Sequence, residues 1–426
     1  MKRGFFYSLG LSRKTYSTNF APILAILILS VVTITQKFYF GAAVYVMMSW
    51  LIFFLFESGK IIRANHKLKS VLSLGFLYVV ICAVYQLLGI SSASIEYCVA
   101  RPFLYFAPVV ALMIIDRCDN EQQVRFLFHF LALAIAINIA DNIRLTNEYG
   151  IENIAYQKLA GLMKEEGITG LNLGGSMFVN MCVFYACLMF MAFLKSNKGA
   201  EKFLFLIYTG ISAYFIIFCT LKASAIVLLL ISIVLMYISF RSKEHTGLII
   251  LSMSVFVGFV FLFLDNIIYF LTDMVGSERI AERLMVFTSE GDVEDSSLMG
   301  RGQLWLVSLR SWLGSLGSFF FGIGDHDWTK ALSTAATGIG SHSDLLDVLG
   351  RYGILGAFVL YSSIKIYYDY LKNKYGNSFK WEIISFFIIL ILMGLTKKII
   401  APQQPIVIFI LLPLTLKYIL VQKNKL

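Results

Sequence analysis

The sequence predicts an all-α fold, a polytopic bundle of about twelve transmembrane helices with one large extracytoplasmic loop that contains an amphipathic helix. Three observations predict it. Of 426 residues, 58% are hydrophobic and only 15% are charged. The mean hydropathy of +0.76 exceeds what a water-soluble domain can expose without aggregating. Apolar runs long enough to cross about 30 Å of hydrocarbon recur along the whole chain. With no long polar tract at either end, residues 1–426 form a single integral membrane domain, and 268–342 is the one sizeable loop outside the bilayer.

The candidate spans are 20–35, 38–56, 70–90, 97–115, 124–141, 173–194, 203–220, 222–240, 247–267, 343–369, 382–396 and 404–421. The pair around position 220 is separated only by Leu221 and Lys222, which predicts a tight hairpin. Orientation follows from lysine and arginine, which favour cytoplasmic loops. With the N-terminus inside, the inner segments hold Lys2 and Arg3, then Lys60 and Arg63, Arg117 and Arg125, Lys195 and Lys198, Arg241 and Lys243, Lys372 and Lys374, and finally Lys417 and Lys423. Both termini are therefore expected in the cytoplasm. The net charge of +10 reflects this topology and attraction to anionic lipid, and no nucleic-acid partner is implied. The basic first nineteen residues predict an uncleaved interfacial lead-in. Cys82, Cys98, Cys118, Cys182, Cys187 and Cys219 lie in or beside spans with no CxxC pair, so neither disulfides nor cysteine-bound metal are expected.

Two outside loops are long, 142–172 and 268–342. The second contains the acidic run TSEGDVEDSS, expected to be a solvated stretch, and then an amphipathic pattern. Leu304, Trp305, Leu306, Leu309, Trp312, Leu313 and Leu316 recur at spacings of three and four, opposed by Arg301, Ser308, Arg310 and Ser311. Such a helix suits the outer headgroup layer, or else packs over the bundle as a lid. The glycines of GIG at 322–324 end it.

Charged groups in costly places mark the candidate site. Arg101 lies about one turn inside the fourth span, where an arginine costs at least about 2.5 kcal/mol unless it snorkels or meets an anion or water. Lys222 tips the outside hairpin, Arg301 opens the amphipathic helix and His342 precedes the tenth span. All four fall at one depth, the outer face, which points to a polyanionic ligand such as a lipid pyrophosphate. Snorkelling alone could account for Lys222, and His342 could belong to a simple helix cap, since Ser341, Ser343 and Asp344 are helix-start residues. Asp344 and Asp347, three apart, share a helix face and could orient the histidine or bind sugar hydroxyls, or Asp344 could itself be a cap. GDHDW at 324–328 resembles a metal-binding DxD but lacks a carboxylate-rich partner, so no metal is expected. Gly350, Gly353 and Gly356, spaced by three, predict close approach of a neighbouring helix.

Four motifs carry a family resemblance: TLKAS at 220–224, RGQLW at 301–305, FFFGIG at 319–324 and HSDLLDVLGRYGILG at 342–356. Their order and topological side resemble the O-antigen polymerase and ligase superfamily over roughly 170–400. Two departures, Lys222 where ligases commonly carry arginine and Ser343 after the histidine where asparagine is common, look more like a polymerase. The resemblance implies polymerisation of undecaprenyl-pyrophosphate-linked repeat units into a surface polysaccharide at the outer face of the bacterial cytoplasmic membrane. Its implied partners are the lipid-linked glycan donor and acceptor, membrane lipid, and a chain-length regulator and flippase of the same pathway. His342 and Arg301 are expected to be catalytic, with Arg101, Lys222 and Arg279 on the pyrophosphate, and Asp344, Asp347 and Trp305 at the acceptor sugar. No cofactor is expected. The alternatives are an O-antigen ligase and a twelve-span flippase or transporter. Transporters are expected to show two related halves or charges at midmembrane depth, and neither is evident.

Overall fold

The computed structural model describes residues 120–149, 176–220, 223–241, 297–324, 343–396 and 405–423, with a few isolated positions between 80 and 118. Their regular structure is entirely helical: α1 (Glu121–Tyr149), α2 (Ser176–Lys195), α3 (Gly199–Phe218), α4 (Ala223–Arg241), α5 (Ser297–Leu313), α6 (Leu316–Phe321), α7 (Asp344–Thr396) and α8 (Pro405–Lys423). Among the described residues four helices are long and apolar enough to cross a membrane, Glu121–Glu148, Phe178–Lys195, Gly199–Phe218 and Asp344–Leu395, and two shorter apolar helices are Ala225–Arg241 and Phe409–Gln422. The chain is thus a multi-pass membrane protein. The expected spans at 20–35, 38–56 and 247–267, and nearly all of 70–90 and 97–115, lie outside the described residues.

The chain divides into two compact units. One comprises Met1–Ile135, Trp305–Asn377 and Lys397–Leu426. In it α8 packs on the first half of α1: Phe128 stacks on Tyr418 with ring centroids 4.3 Å apart. Lys417 Nζ donates to the Ile115 carbonyl at 3.1 Å. The Tyr367 hydroxyl of α7 donates to the Phe409 carbonyl of α8 at 3.0 Å, giving a buried phenol the partner that an apolar surrounding demands.

The other unit comprises Ala136–Leu304 and Ser378–Thr396. Its centre is α2, which packs against both α3 and α4 while those two touch each other sparingly. Burial agrees: 83% of the α2 apolar stretch is enclosed against 33% of that of α3. The α3 face bearing Phe203, Leu206, Ile207 and Tyr214 is left exposed. The expected hairpin therefore joins two helices that flank a third instead of pairing with each other.

Polar groups inside these helices are satisfied locally. The hydroxyls of Thr209, Ser232, Ser239 and Thr220 each donate to a carbonyl four residues earlier, which removes the cost of burying them. Ser212 instead reaches across to the Cys182 carbonyl at 2.8 Å and ties α3 to α2. A charged contact joins three elements: Lys195, at the end of α2, forms an ion pair with Glu382 of α7, and their side chains are only 4% and 5% exposed. The Lys195 ammonium also lies 5.3 Å from the Phe240 ring and 5.5 Å from the Phe379 ring, over faces that attract a cation.

Two boundaries differ from expectation. Helix α1 continues through Tyr149, where the sequence suggests a loop from 142. Asn138, Asn142 and Thr146 recur every four residues and are buried. Asn142 Nδ2 donates to the Asn138 carbonyl at 2.9 Å and Thr146 to the Asn142 carbonyl at 2.7 Å. On the opposite, exposed side Arg144 pairs with Asp141 at 3.0 Å and Glu148 at 3.1 Å. Helix α7 likewise runs from Asp344 through Thr396, where an inside loop was expected between spans at 343–369 and 382–396. At about 1.5 Å per residue its 53 residues exceed two hydrocarbon thicknesses. Lysines in the polar middle support the helix from its own surface: Lys372 stands over Tyr368 and Lys374 over Tyr370, each four residues back.

Candidate functional site

The described part of the candidate site is built from α5, α6, the loop after it and the start of α7, all from Trp305 onward within one unit. The connection is set by serine and glycine. Ser315 Oγ accepts from the Ser318 N–H at 3.0 Å while Ser318 Oγ accepts from the Ser315 N–H at 2.9 Å, a reciprocal cap that starts α6. Trp312 folds over this turn, stacking on Phe319 at 5.1 Å and donating its indole N–H to the Phe319 carbonyl at 2.9 Å. Gly322, at φ 77°, ends α6, and Gly324 follows at φ 79°.

The loop then docks on α7. The Ile323 N–H donates to the Gly350 carbonyl at 2.9 Å and the Gly324 N–H to the Arg351 carbonyl at 2.8 Å. Gly353, at φ 64°, lies just beyond these carbonyls, in a left-handed conformation that only glycine adopts cheaply. The fit is reciprocal: a Cβ at Gly322 would overlap the Arg351 backbone, and one at Gly353 would overlap the Phe320 backbone. Of the three spaced glycines, Gly353 thus meets the close approach that the sequence suggests, from the end of the short helix α6.

At the start of α7 a carboxylate is enclosed. Asp347 is 1% exposed. Ser308 of α5, itself fully buried, donates to Asp347 Oδ1 at 2.7 Å, and the Ser343 N–H donates to Oδ2 at 3.2 Å. Ser343 Oγ in turn accepts from the Leu346 N–H at 3.2 Å, so Ser343 is the residue that caps α7. The positive end of the α7 dipole lowers the cost of carboxylates at Asp344 and Asp347. Asp344 and Arg351 are also buried, at 6% and 4% exposure. Trp305 is partly buried, and its indole nitrogen, though enclosed, finds no hydrogen-bond partner among the described residues.

This geometry reverses one expectation. The amphipathic pattern puts Ser308 with Arg301, Arg310 and Ser311 opposite the apolar stripe of α5, yet it is the most deeply buried of the described side chains of that helix. Leu306, Leu313 and Leu316 are instead exposed, at 49%, 62% and 80%, and Phe320 and Phe321 continue the apolar surface. The physical reason is the buried carboxylate, which demands a donor more strongly than the leucines demand enclosure in protein. Arg310 is exposed, on the same side of α5 as Leu306 and Leu313.

Of the residues expected at the site, Trp305, Asp344 and Asp347 are placed here, and Arg301 belongs to α5 at helical spacing from Trp305 and Ser308. Arg101, Lys222, Arg279 and His342 lie outside the described residues, as does the DHDW segment of the possible metal motif. Sequence reasoning missed Ser308 and Arg351. A usable signal existed for the second: Arg351 follows Asp347 by four and Asp344 by seven, which puts all three on one helix face.

Ser308, Asp347 and Ser343 thus form a buried polar cluster where α5 meets the start of α7. A family described as O-antigen ligase matches residues 179–361, a stretch that holds all four motifs and the whole Asp347 cluster. The match supports the resemblance to the O-antigen polymerase and ligase superfamily over that stretch. No curated protein matches the chain.

Proposed function

We propose that the protein polymerises undecaprenyl-pyrophosphate-linked oligosaccharide repeat units into a bacterial surface polysaccharide at the outer face of the cytoplasmic membrane, with both termini in the cytoplasm. The observation that carries this reading is the family match over 179–361, which spans TLKAS, RGQLW, FFFGIG and HSDLLDVLGRYGILG together. The acceptor hydroxyl oxygen attacks the anomeric carbon of the donor, and its proton passes to the neutral imidazole of His342 as general base. The bond from that carbon to the pyrophosphate oxygen breaks, and the departing anion takes the electron pair. Arg301, with Arg101, Lys222 and Arg279, stabilises that charge in the way a metal does in soluble transferases. Trp305, whose indole N–H has no hydrogen-bond partner among the described residues, and Asp344 are assigned to the acceptor sugar.

The ligase reading is favoured by the family's description, the polymerase reading by Lys222 and Ser343 in place of the ligases' common arginine and asparagine. Glycan in a deletion strain separates them. Single repeat units on the lipid carrier support polymerisation, intact polymer missing its final lipid supports ligation, and repeat units trapped in the cytoplasm support a flippase. Complementation with His342→Ala or Arg301→Ala is expected to leave protein in the membrane and no polymer; wild-type chain length in either variant removes that residue from the mechanism. The reading also predicts a chain-length regulator and a flippase encoded for the same pathway.

A further inference from the structure

We propose that the exposed face of α5 and α6 is a membrane-interface anchor, embedded among the headgroups and upper acyl chains of the bilayer, with Arg310 set against anionic lipid phosphate; the proposal holds whatever reaction the protein carries out. The surface consists of Leu306, Arg310 and Leu313 on one side of α5, then Leu316, Phe320 and Phe321 along α6. In water each Å² of such apolar area costs roughly 25 cal/mol. The fold nevertheless holds it outward. Ser308 is turned to Asp347, and Ser318 is tied into the Ser315 cap. Trp312 stacks on Phe319 and donates to its carbonyl, so the two helices present their apolar residues as one surface.

Helix α7 sets the depth of that surface. The helix turns at Gly353, where φ is 64°. The Tyr361 hydroxyl donates to the Leu345 carbonyl at 2.6 Å, although 16 residues of straight helix would hold the two about 24 Å apart. Crossing the bilayer therefore falls to the part after the turn. From Gly353 to Lys372 that part rises about 28 Å, close to one hydrocarbon thickness. Its far end carries Tyr368 and Tyr370 with Lys372 and Lys374 over their rings, the aromatic and basic residues of a membrane boundary. Gly353 then marks the opposite boundary. It is at Gly353 that α6 docks, with the backbone of Phe320 and Phe321 against it. The next residue, Ile354, opens an exposed stripe with Leu355, Phe358 and Tyr361, the lipid-facing side of the span. The α6 surface thus runs into one already committed to lipid, at the level where acyl chains give way to headgroups. Arg310, exposed among these apolar residues, suits phosphate at that level.

The test uses the full-length protein in nanodiscs of phosphatidylcholine and phosphatidylglycerol. With the unmodified chain, a phospholipid carrying a photoreactive diazirine near the headgroup end of its acyl chain is expected to leave adducts on Leu313, Leu316 and Phe320 as readily as on Phe358. Adducts on 354–361 with none on 306–321 would overturn the anchor. Depth is then read with a fluorophore on Leu313→Cys, Leu316→Cys or Phe320→Cys, in a chain whose six native cysteines are alanine. Phe358→Cys serves as the lipid reference and Asn197→Cys, in the exposed turn between α2 and α3, as the water reference. Quenching by a lipid-borne nitroxide and protection from aqueous iodide support the proposal. Quenching by iodide places the face in water, and protection from both quenchers places it under protein, whether this chain or a second copy; either result overturns it. At position 313 a nitroxide carried on phosphatidylglycerol is expected to be enriched over one on phosphatidylcholine by up to about fivefold, what one basic residue near an anionic surface contributes. Arg310→Gln should abolish that preference. Equal quenching by the two carriers in the unaltered Arg310 protein would overturn the pairing with anionic phosphate.

Discussion

Helix α7 holds two of its buried carboxylates, Asp347 and Glu382, by different means. Asp347, in its first turns, is held by a serine hydroxyl and a backbone N–H, with the positive end of the helix dipole beside it. Glu382, far along the same helix and beyond any help from its terminus, meets the ammonium of Lys195 between two phenylalanine rings. A carboxylate at a helix start can be stabilised by peptide geometry, whereas one in mid-helix requires a counter-charge. The first arrangement is directional and suits a place where atoms must be registered; the second tolerates orientation and suits holding helices together.

The largest expected effect tests the second arrangement. Lys195→Met or Glu382→Gln alone leaves one buried group unmatched and is expected to cost about 3–5 kcal/mol, read as a lowered melting temperature in detergent. The double replacement should recover much of that loss, and a double variant that falls by the sum of both would show that the pair is not a unit. Next comes the brace beneath Asp347. Gly353→Ala imposes a left-handed conformation worth about 1–2 kcal/mol and adds overlap with the Phe320 backbone, so its cost should exceed that figure; a neutral result would mean the α6–α7 contact yields easily. Ser308→Ala leaves one Asp347 oxygen without its donor and is expected to cost about 1–3 kcal/mol, less than either break at Lys195–Glu382. Smallest is Arg144→Ala. Its ion pairs are exposed, with the arginine side chain 60% accessible, and the change in thermal stability should stay below about 1 kcal/mol and shrink further in salt.

Uniform apolar runs carried the sequence reading well. Spans expected at 173–194, 203–220, 222–240 and 404–421 correspond to Ser176–Lys195, Gly199–Phe218, Ala223–Arg241 and Pro405–Lys423. Helices that continue into polar sequence were cut short. Residues 142–149 resemble a loop by composition, and only the four-residue recurrence of Asn138, Asn142 and Thr146 betrays a buried face. The polar middle of α7 misled for the same reason. Ser308 was hidden by a deeper problem: amphipathic patterns assign polar residues to water, but an apolar face in a membrane protein has lipid available to it, so the polar face can turn inward when a buried carboxylate needs it. Of the candidate site, the four motifs were legible from spacing and residue type, and all of them fall within the matched stretch. Which partners Asp347 takes was not legible, because Ser308 reaches it from a helix remote in sequence.

The interlocked glycines carry a consequence for any exchange of parts between relatives. Gly322 is complete only when Arg351 and Tyr352 fill the space its missing side chain leaves, and Gly353 only when Phe320 and Phe321 do the same. Neither half presents a surface that a foreign partner could adjust to by choosing new rotamers, since main chain faces main chain. A chimera that imports 316–324 without 343–353, or the reverse, inherits a lock without its key, and grafting this region from a protein of the matched family requires moving both stretches as one cassette.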